Sequence, residues 1–245
     1  MKQQRDYGWQ GQLGLGTPQG NPTVEAEMRR LVPPGVEYFT LRLVSDSDDA
    51  ATRLRDYLER LPGFMRQYAT LKVDAFLFAC TGSSYLLPPE RVAACREAAE
   101  QALGAPVILA ADAIRDWLRA RRAHSLLLLT PYPEWLNQPA LAYWRRQGFE
   151  VSGSLRVDIG GEDTYGIYEQ QSAAARALLE RIDAVEADAI LISGTGMPSL
   201  PVLRALGAHG RPAVSSNLAL ATAGLVALGL EPTPPGLWWF NDGGT

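Results

Sequence analysis

Cys80 stands at the end of an apolar run and is followed by Thr81, Gly82, Ser83 and Ser84. A thiol among hydroxyls and backbone amides can serve as a nucleophile or a proton donor, because those groups stabilise the charge either role develops. The setting also predicts a lowered thiol pKa, with thiolate available for reaction. The same pattern recurs 114 residues later. Asp74-Ala75-Phe76-Leu77-Phe78-Ala79-Cys80-Thr81-Gly82 and Asp188-Ala189-Ile190-Leu191-Ile192-Ser193-Gly194-Thr195-Gly196 share Asp-Ala, an apolar run, a small residue, a variable position and Thr-Gly. Gly194 takes the place of Cys80, so only the first copy carries a reactive side chain.

Two further loops belong with these. Ligands of open parallel α/β sheets bind beyond the carboxyl ends of the strands. That rule gathers Thr17-Pro18-Gln19-Gly20-Asn21, Cys80-Thr81-Gly82-Ser83-Ser84, Thr130-Pro131-Tyr132 and Gly194-Thr195-Gly196 around one cleft. The loops are rich in hydroxyls, small residues and N–H groups, and poor in charge. They suit small carboxylates, which the Thr81-Gly82 and Thr195-Gly196 amides can hold without a buried cation.

Other chemistries find no support. The two histidines, His124 and His209, have no metal-spaced partners, so no metal site is expected. Ser83 and Ser84 do not form the Gly-x-Ser-x-Gly elbow of hydrolases. Gly14, Gly16 and Gly20 are spaced one residue too long for the dinucleotide fingerprint. Cys95 lies in a helical pattern and reads as a small packed side chain. The expected cofactor content is none.

The elements that must position these residues alternate along the chain. Strands are predicted at 12–16, 38–43, 74–79, 106–109, 125–129, 149–155, 189–193 and 212–214. Helices are predicted at 23–31, 47–68, 89–103, 113–122, 135–147, 168–187, 200–208 and 218–228, with Pro62-Gly63 breaking the second. Strands separated by helices mean βαβ units and parallel sheets. Leu13-Gly14-Leu15-Gly16-Thr17-Pro18 recurs as Leu126-Leu127-Leu128-Leu129-Thr130-Pro131, and Gly104-Ala105-Pro106-Val107 echoes Gly210-Arg211-Pro212-Ala213. An internal duplication follows: two similar α/β lobes, each a four-stranded parallel sheet, facing each other. Residues 1–111, completed by 217–245, form the first lobe, and 112–216 the second. The tail with Pro234, Pro235 and Trp238-Trp239-Phe240 reads as an irregular surface segment.

A chain of 245 residues, 47% hydrophobic and 20% charged, can build either one large core or two small ones. A net charge of -4 argues against nucleic acid as a partner. No segment approaches the length of a membrane span. The polar residues 1–10 contain no signal-peptide core, and two cysteines make no disulfide framework, so a cytoplasmic location is expected.

Five segments together resemble the aspartate/glutamate racemase superfamily, and within it the maleate cis-trans isomerase and arylmalonate decarboxylase group. They are Thr17-Pro18-Gln19-Gly20-Asn21-Pro22-Thr23-Val24-Glu25-Ala26-Glu27, Ala79-Cys80-Thr81-Gly82-Ser83-Ser84, Thr130-Pro131-Tyr132, Ile192-Ser193-Gly194-Thr195 and Pro212-Ala213-Val214-Ser215-Ser216-Asn217-Leu218-Ala219. The resemblance implies flavodoxin-like lobes related by a pseudo-twofold, a cofactor-free site between them and a possible homo-oligomer. It also implies that Cys80 matches the first-lobe nucleophile of the isomerases, and Asn21 and Tyr132 their substrate-binding Asn and Tyr. Thr81, Ser83 and Thr195 match positions that hold carboxylates. This chain departs from the pattern at Gly194, where isomerases carry a second cysteine, and at residues 162–165, where a second Asn is not evident.

With one thiol, two-base racemisation lacks its second base. The preferred reading is cis-trans isomerisation of a small dicarboxylate by thiolate addition, with an enediolate held by amides and hydroxyls. Two alternatives stay open: decarboxylation of a substituted malonate with Cys80 as proton donor, and a non-catalytic carboxylate-binding protein. Gly194→Cys is the informative gain-of-function test: added racemase or isomerase activity means that positions 80 and 194 face each other across one substrate. The apolar wall of the cleft is expected among Leu43, Tyr85, Leu86, Tyr165 and Met197.

Overall fold

Every apolar run predicted as a strand forms one. The first parallel sheet comprises β1 (Gly11–Pro18), β2 (Val36–Leu43), β3 (Ala75–Phe78) and β4 (Val107–Leu109), in the order β2-β1-β3-β4. The second comprises β5 (Ser125–Thr130), β6 (Glu150–Arg156), β7 (Ala189–Ile192) and β8 (Ala213–Ser215), in the order β6-β5-β7-β8. The central strands are covered on both faces, which is why they read as continuous Leu, Ile and Phe runs without alternation. This computed structural model describes residues 5–207 and 210–232. The tail from residue 233, with its aromatic cluster, and His209 lie outside the described residues.

The sequence repeat is a repeat of hydrogen bonds. Leu13 pairs with Ala75 in the first sheet and Leu126 with Ala189 in the second. Each Asp of the Asp-Ala pairs accepts from an amide at the start of the central strand: Asp74 from Gln12 N at 2.8 Å, Asp188 from Ser125 N at 2.9 Å. The prolines of the echoed Gly-x-Pro segments accept equivalently, Pro106 O from Phe76 N and Pro212 O from Ile190 N. The strand ends match too, with Ala79 N donating to Gly16 O and Ser193 N to Leu129 O. Both Thr-Gly loops therefore leave their sheets at the same point.

Helices α1 (Thr23–Leu31), α2 (Ala50–Glu59), α3 (Leu61–Phe64), α4 (Thr81–Leu86) and α5 (Pro89–Leu103) flank the first sheet. The predicted helix at 47–68 is broken at Arg60, and α4 had no sequence signal of its own. Helix α6 (Ala110–Ala120) follows β4, and α7 (Glu134–Arg146), α8 (Ser172–Arg176), α9 (Leu200–Leu206) and α10 (Ser216–Ala227) come after it. Helix α10 is apolar around most of its circumference because it follows β8 yet packs against α1, α6, β3 and β4.

One predicted element is wrong. The continuous helix expected over 168–187 is instead a 3-10 turn (Thr164–Glu169), the short α8 and a second 3-10 turn (Leu179–Arg181). Tertiary contacts override its helical propensity. Its first residues turn inward between the lobes, and Arg211 draws off the carbonyls of Ile182 (2.8 Å) and Val185 (2.7 Å). Among the described residues, no helix is long and apolar enough to cross a membrane.

Candidate active site

Strand β3 delivers Cys80 to the position just before α4, with extended backbone (φ -147°, ψ 105°). The side chain is only 4% exposed. Ser83 Oγ lies 2.5 Å from the Leu54 carbonyl and 3.3 Å from the Cys80 sulfur. A carbonyl can only accept, so the single Ser83 proton goes to Leu54. The Ser83 oxygen then faces the sulfur with lone pairs free, which suits a neutral S–H. Burial pushes the Cys80 thiol up from its ordinary value, against weaker opposing bonds from the Ser83 and Gly82 amides. This corrects the expected lowering: among the described residues no cation acts on the sulfur, and the six-residue α4 supplies little dipole.

The facing loop is built differently. Gly194 has φ +119°, a conformation that side chains rarely adopt, and a Cβ there would meet Pro131 Cγ at 3.0 Å. A thiol at this position would strain the backbone. The Gly194 amide donates to Ser216 Oγ at 3.1 Å. The Thr195 hydroxyl donates across the lobes to Ala79 O at 2.9 Å, and Asn21 Nδ2 donates to Thr195 Oγ1 at 3.3 Å. Thr23 Oγ1 donates to Gly196 O at 2.6 Å. Tyr132 joins the lobes at the other side, its hydroxyl 2.8 Å from Thr81 Oγ1 and 3.0 Å from Ser193 Oγ, which also meets Tyr85 at 2.8 Å.

Between the loops lies a cavity of about 30 Å³. Cys80, Thr81, Gly82, Tyr132, Gly194, Thr195 and Gly196 line it. Asn21 and Ser83 do not; they stand behind the wall, Asn21 against Thr195 and Ser83 against the sulfur. The apolar wall is made by Pro18, Leu54, Leu136 and Ile167, with Tyr168. The expected Leu43, Tyr85, Leu86, Tyr165 and Met197 are not part of it. Leu54 and Leu136 sit on amphipathic helices whose inner faces were legible, but which residue meets the cavity depends on how the lobes approach. Thr164, 5% exposed, also lines the cavity and was missed; it lies in the segment where the second Asn was sought.

Residues 157–171 form a strap over the cavity. Asp163 pairs with Arg53 of α2, itself 3% exposed, and the Tyr165 ring stacks 4.2 Å from the Arg53 guanidinium. Gln19 Nε2 donates to the Tyr165 hydroxyl at 2.9 Å. Burial opposes ionisation of Asp163, yet the Arg53 and Tyr165-amide bonds hold its carboxyl below the usual value.

A second clamp was not anticipated. Glu27 of α1, 5% exposed, accepts from Ser199 N (2.5 Å), Ser199 Oγ (2.7 Å), Leu200 N (3.0 Å) and Asn217 Nδ2 (2.7 Å). It fixes the segment that follows the Thr195-Gly196 loop. Burial raises its pKa, and these donors oppose that rise.

Among the described residues, no lysine, arginine, aspartate or glutamate lines the cavity. Among the described residues no cluster of His, Cys, Asp and Glu could hold a metal. The chemistry therefore falls to one thiol, the phenols, the hydroxyls and the backbone.

Comparison with known proteins agrees with this geometry. The sequence model of the arylmalonate decarboxylase family matches residues 48–237. A maleate isomerase from Nocardia farcinica is 31% identical over 239 residues, covering 91% of this chain and 92% of its own. A mutant of the Nocardia farcinica maleate cis-trans isomerase, with one cysteine replaced by serine, carries a covalently bound succinylcysteine intermediate. Its structure matches with a TM-score of 0.74 at 26% identity, covering 90% of this chain and 93% of that one. A liganded arylmalonate decarboxylase mutant, in which a glycine became cysteine and a cysteine became serine, shares the fold with a TM-score of 0.72 at 21% identity. That match covers 89% of this chain and 93% of the mutant.

Proposed function

Because the chain belongs to the arylmalonate decarboxylase family, we propose that it is a cofactor-independent cis-trans isomerase of maleate, with Cys80 as nucleophile. The observation that carries this reading is Cys80 itself. It is the one thiol lining the cavity, placed where the loops of the two sheets converge. The Nocardia mutant supports a single-thiol route, since its adduct persists after one cysteine has been exchanged for serine.

The Cys80 thiolate adds to one alkene carbon. A C–S bond forms, and the π electrons move to the adjacent carbon and its carboxylate as an enediolate. The former double bond is now single and rotates. Collapse of the enediolate expels the thiolate and leaves the trans isomer. Amides of Gly82, Thr195 and Gly196, the Thr81 and Thr164 hydroxyls and the Tyr132 phenol are assigned to the carboxylates and the developing charge. Gly194 gives the substrate room. Asn21 and Ser83 act on the substrate through Thr195 and the sulfur. In this reading residues 1–111 with 217–245 supply the nucleophile, and 112–216 supply the opposing wall.

A cavity of about 30 Å³ holds roughly one water. A four-carbon dicarboxylate needs more room than this, and in the proposed reaction the strap supplies it by lifting.

One observation favours a second reading. Burial keeps Cys80 protonated at rest, which suits a proton donor. In that reaction a substituted malonate loses carbon dioxide, and the thiol protonates the resulting enediolate. Proton NMR of the wild type and Cys80→Ala with maleate separates the two. The isomerase reading expects fumarate from the wild type and none from the variant. Carbon dioxide released from an α-substituted malonate, with maleate untouched, would replace it by the second reading.

A further inference from the structure

Addition of a thiolate places strong negative charge on the neighbouring carbon, and Gly194 offers nothing to neutralise it. We propose that Tyr168 is the second catalytic group of this site. Its phenol protonates the carbon next to the C–S bond from the side away from Cys80, and the phenolate then removes a proton in the elimination step. The proposal rests on the isomerase reading and adds to it an acid–base residue that the sequence pattern does not contain.

The geometry is specific. Tyr168 enters from the strap, on the second-lobe side, and lines the same small cavity as Cys80 and Gly194. Its ring is wedged edgewise between loops of both lobes. A Cβ on Gly196 would meet Tyr168 Cε1 at 2.6 Å, and one on Gly20 would meet Cε2 at 3.2 Å. Those two glycines leave the space the ring fills when the strap is closed. The Tyr132 hydroxyl is committed to Thr81 and Ser193. The Tyr168 hydroxyl has no hydrogen-bond partner among the described residues. Burial first, and the Cys80 charge second, hold it protonated well above the ordinary phenol value. It stays an acid throughout the working pH range and becomes a strong base once it has given its proton. Tyr57 also feels the Cys80 charge, but it lies on α2 in the first lobe and does not line the cavity.

Atom bookkeeping makes the proposal testable. Thiolate adds to one carbon from one face, and Tyr168 O–H adds its proton to the other carbon from the opposite face. Removing that same proton anti to sulfur regenerates the cis alkene. After rotation about the new single bond, the trans alkene forms by anti loss of sulfur with the hydrogen that the substrate brought. The phenolate takes that hydrogen, and sulfur departs as thiolate. Each turnover therefore leaves the phenol's proton on the product and the substrate's hydrogen on the phenol; the phenol exchanges that hydrogen with solvent when the site opens to release product, so in D2O each fumarate leaves carrying one deuterium.

The experiment is turnover of maleate in D2O by the wild type and Tyr168→Phe, followed by NMR and mass analysis of fumarate. The expected result is one deuterium per fumarate from the wild type. Tyr168→Phe, which keeps the ring and its packing, should lose kcat by about 100-fold, within the usual range for a general acid–base group. Its KM should stay within about threefold, and its residual fumarate should carry no deuterium. Unlabelled fumarate from the wild type overturns the role of Tyr168 regardless of how the variant folds, while leaving the isomerase reading in place. Full labelling by Tyr168→Phe also overturns it. A wild type that does not isomerise maleate overturns the reading beneath it, and with it this one.

Discussion

Cys80 was legible because its neighbours in sequence, Thr81, Gly82 and Ser83, are also its neighbours in space. Its protonation state was not, because burial depends on what closes over it: Leu54, Ile167 and Tyr168 come from distant segments. The consequence is a pH dependence with a definite sign. Burial raises the thiol above its ordinary 9.0, so the reactive thiolate is a minority that grows with pH. The nucleophile reading predicts kcat/KM for maleate rising about tenfold per pH unit from about pH 6 to about pH 9, levelling only above the ordinary thiol value. A proton-donating Cys80 would give the opposite: a flat profile that falls at high pH as the thiol ionises. A steady-state profile in a mixed buffer of constant ionic strength decides between them. Gly194 belongs to the same scale. The missing second thiol was visible in the sequence, whereas the positive φ that resists putting one back was not.

At the scale of elements, the strands were readable because buried parallel strands must be apolar end to end. The segment 168–187 was misread as helix because its residues favour helix locally, while tertiary contacts such as those of Arg211 with the Ile182 and Val185 carbonyls hold it otherwise. In the proposed reaction the strap lifts to admit maleate and closes over it. Arg53 fastens it through both Asp163 and Tyr165. Arg53→Ala should therefore raise KM for maleate about tenfold, equivalent to roughly 1.4 kcal/mol of lost closure. Saturation kinetics check this; an unchanged KM would mean that the strap does not gate binding.

At the scale of the molecule, the duplication gave both lobes from one repeated sentence, down to the Asp74 and Asp188 bonds. How the lobes meet was not written in either copy. Glu27 does part of that work, joining α1 to Ser199, Leu200 and Asn217. Glu27→Ala leaves several buried donors without an acceptor and should cost about 3 kcal/mol of stability by denaturant unfolding. Glu27→Gln, which keeps an acceptor, should cost less. The central claim is that Cys80 bonds covalently to the substrate between the lobes, and acid quench of the full chain during turnover of maleate tests it most directly. The account predicts that peptide mass mapping finds one molecule of maleic acid added to Cys80, and no adduct in Cys80→Ser. Turnover of maleate by Cys80→Ser at the wild-type rate, with no adduct on any residue of the wild type, would contradict it.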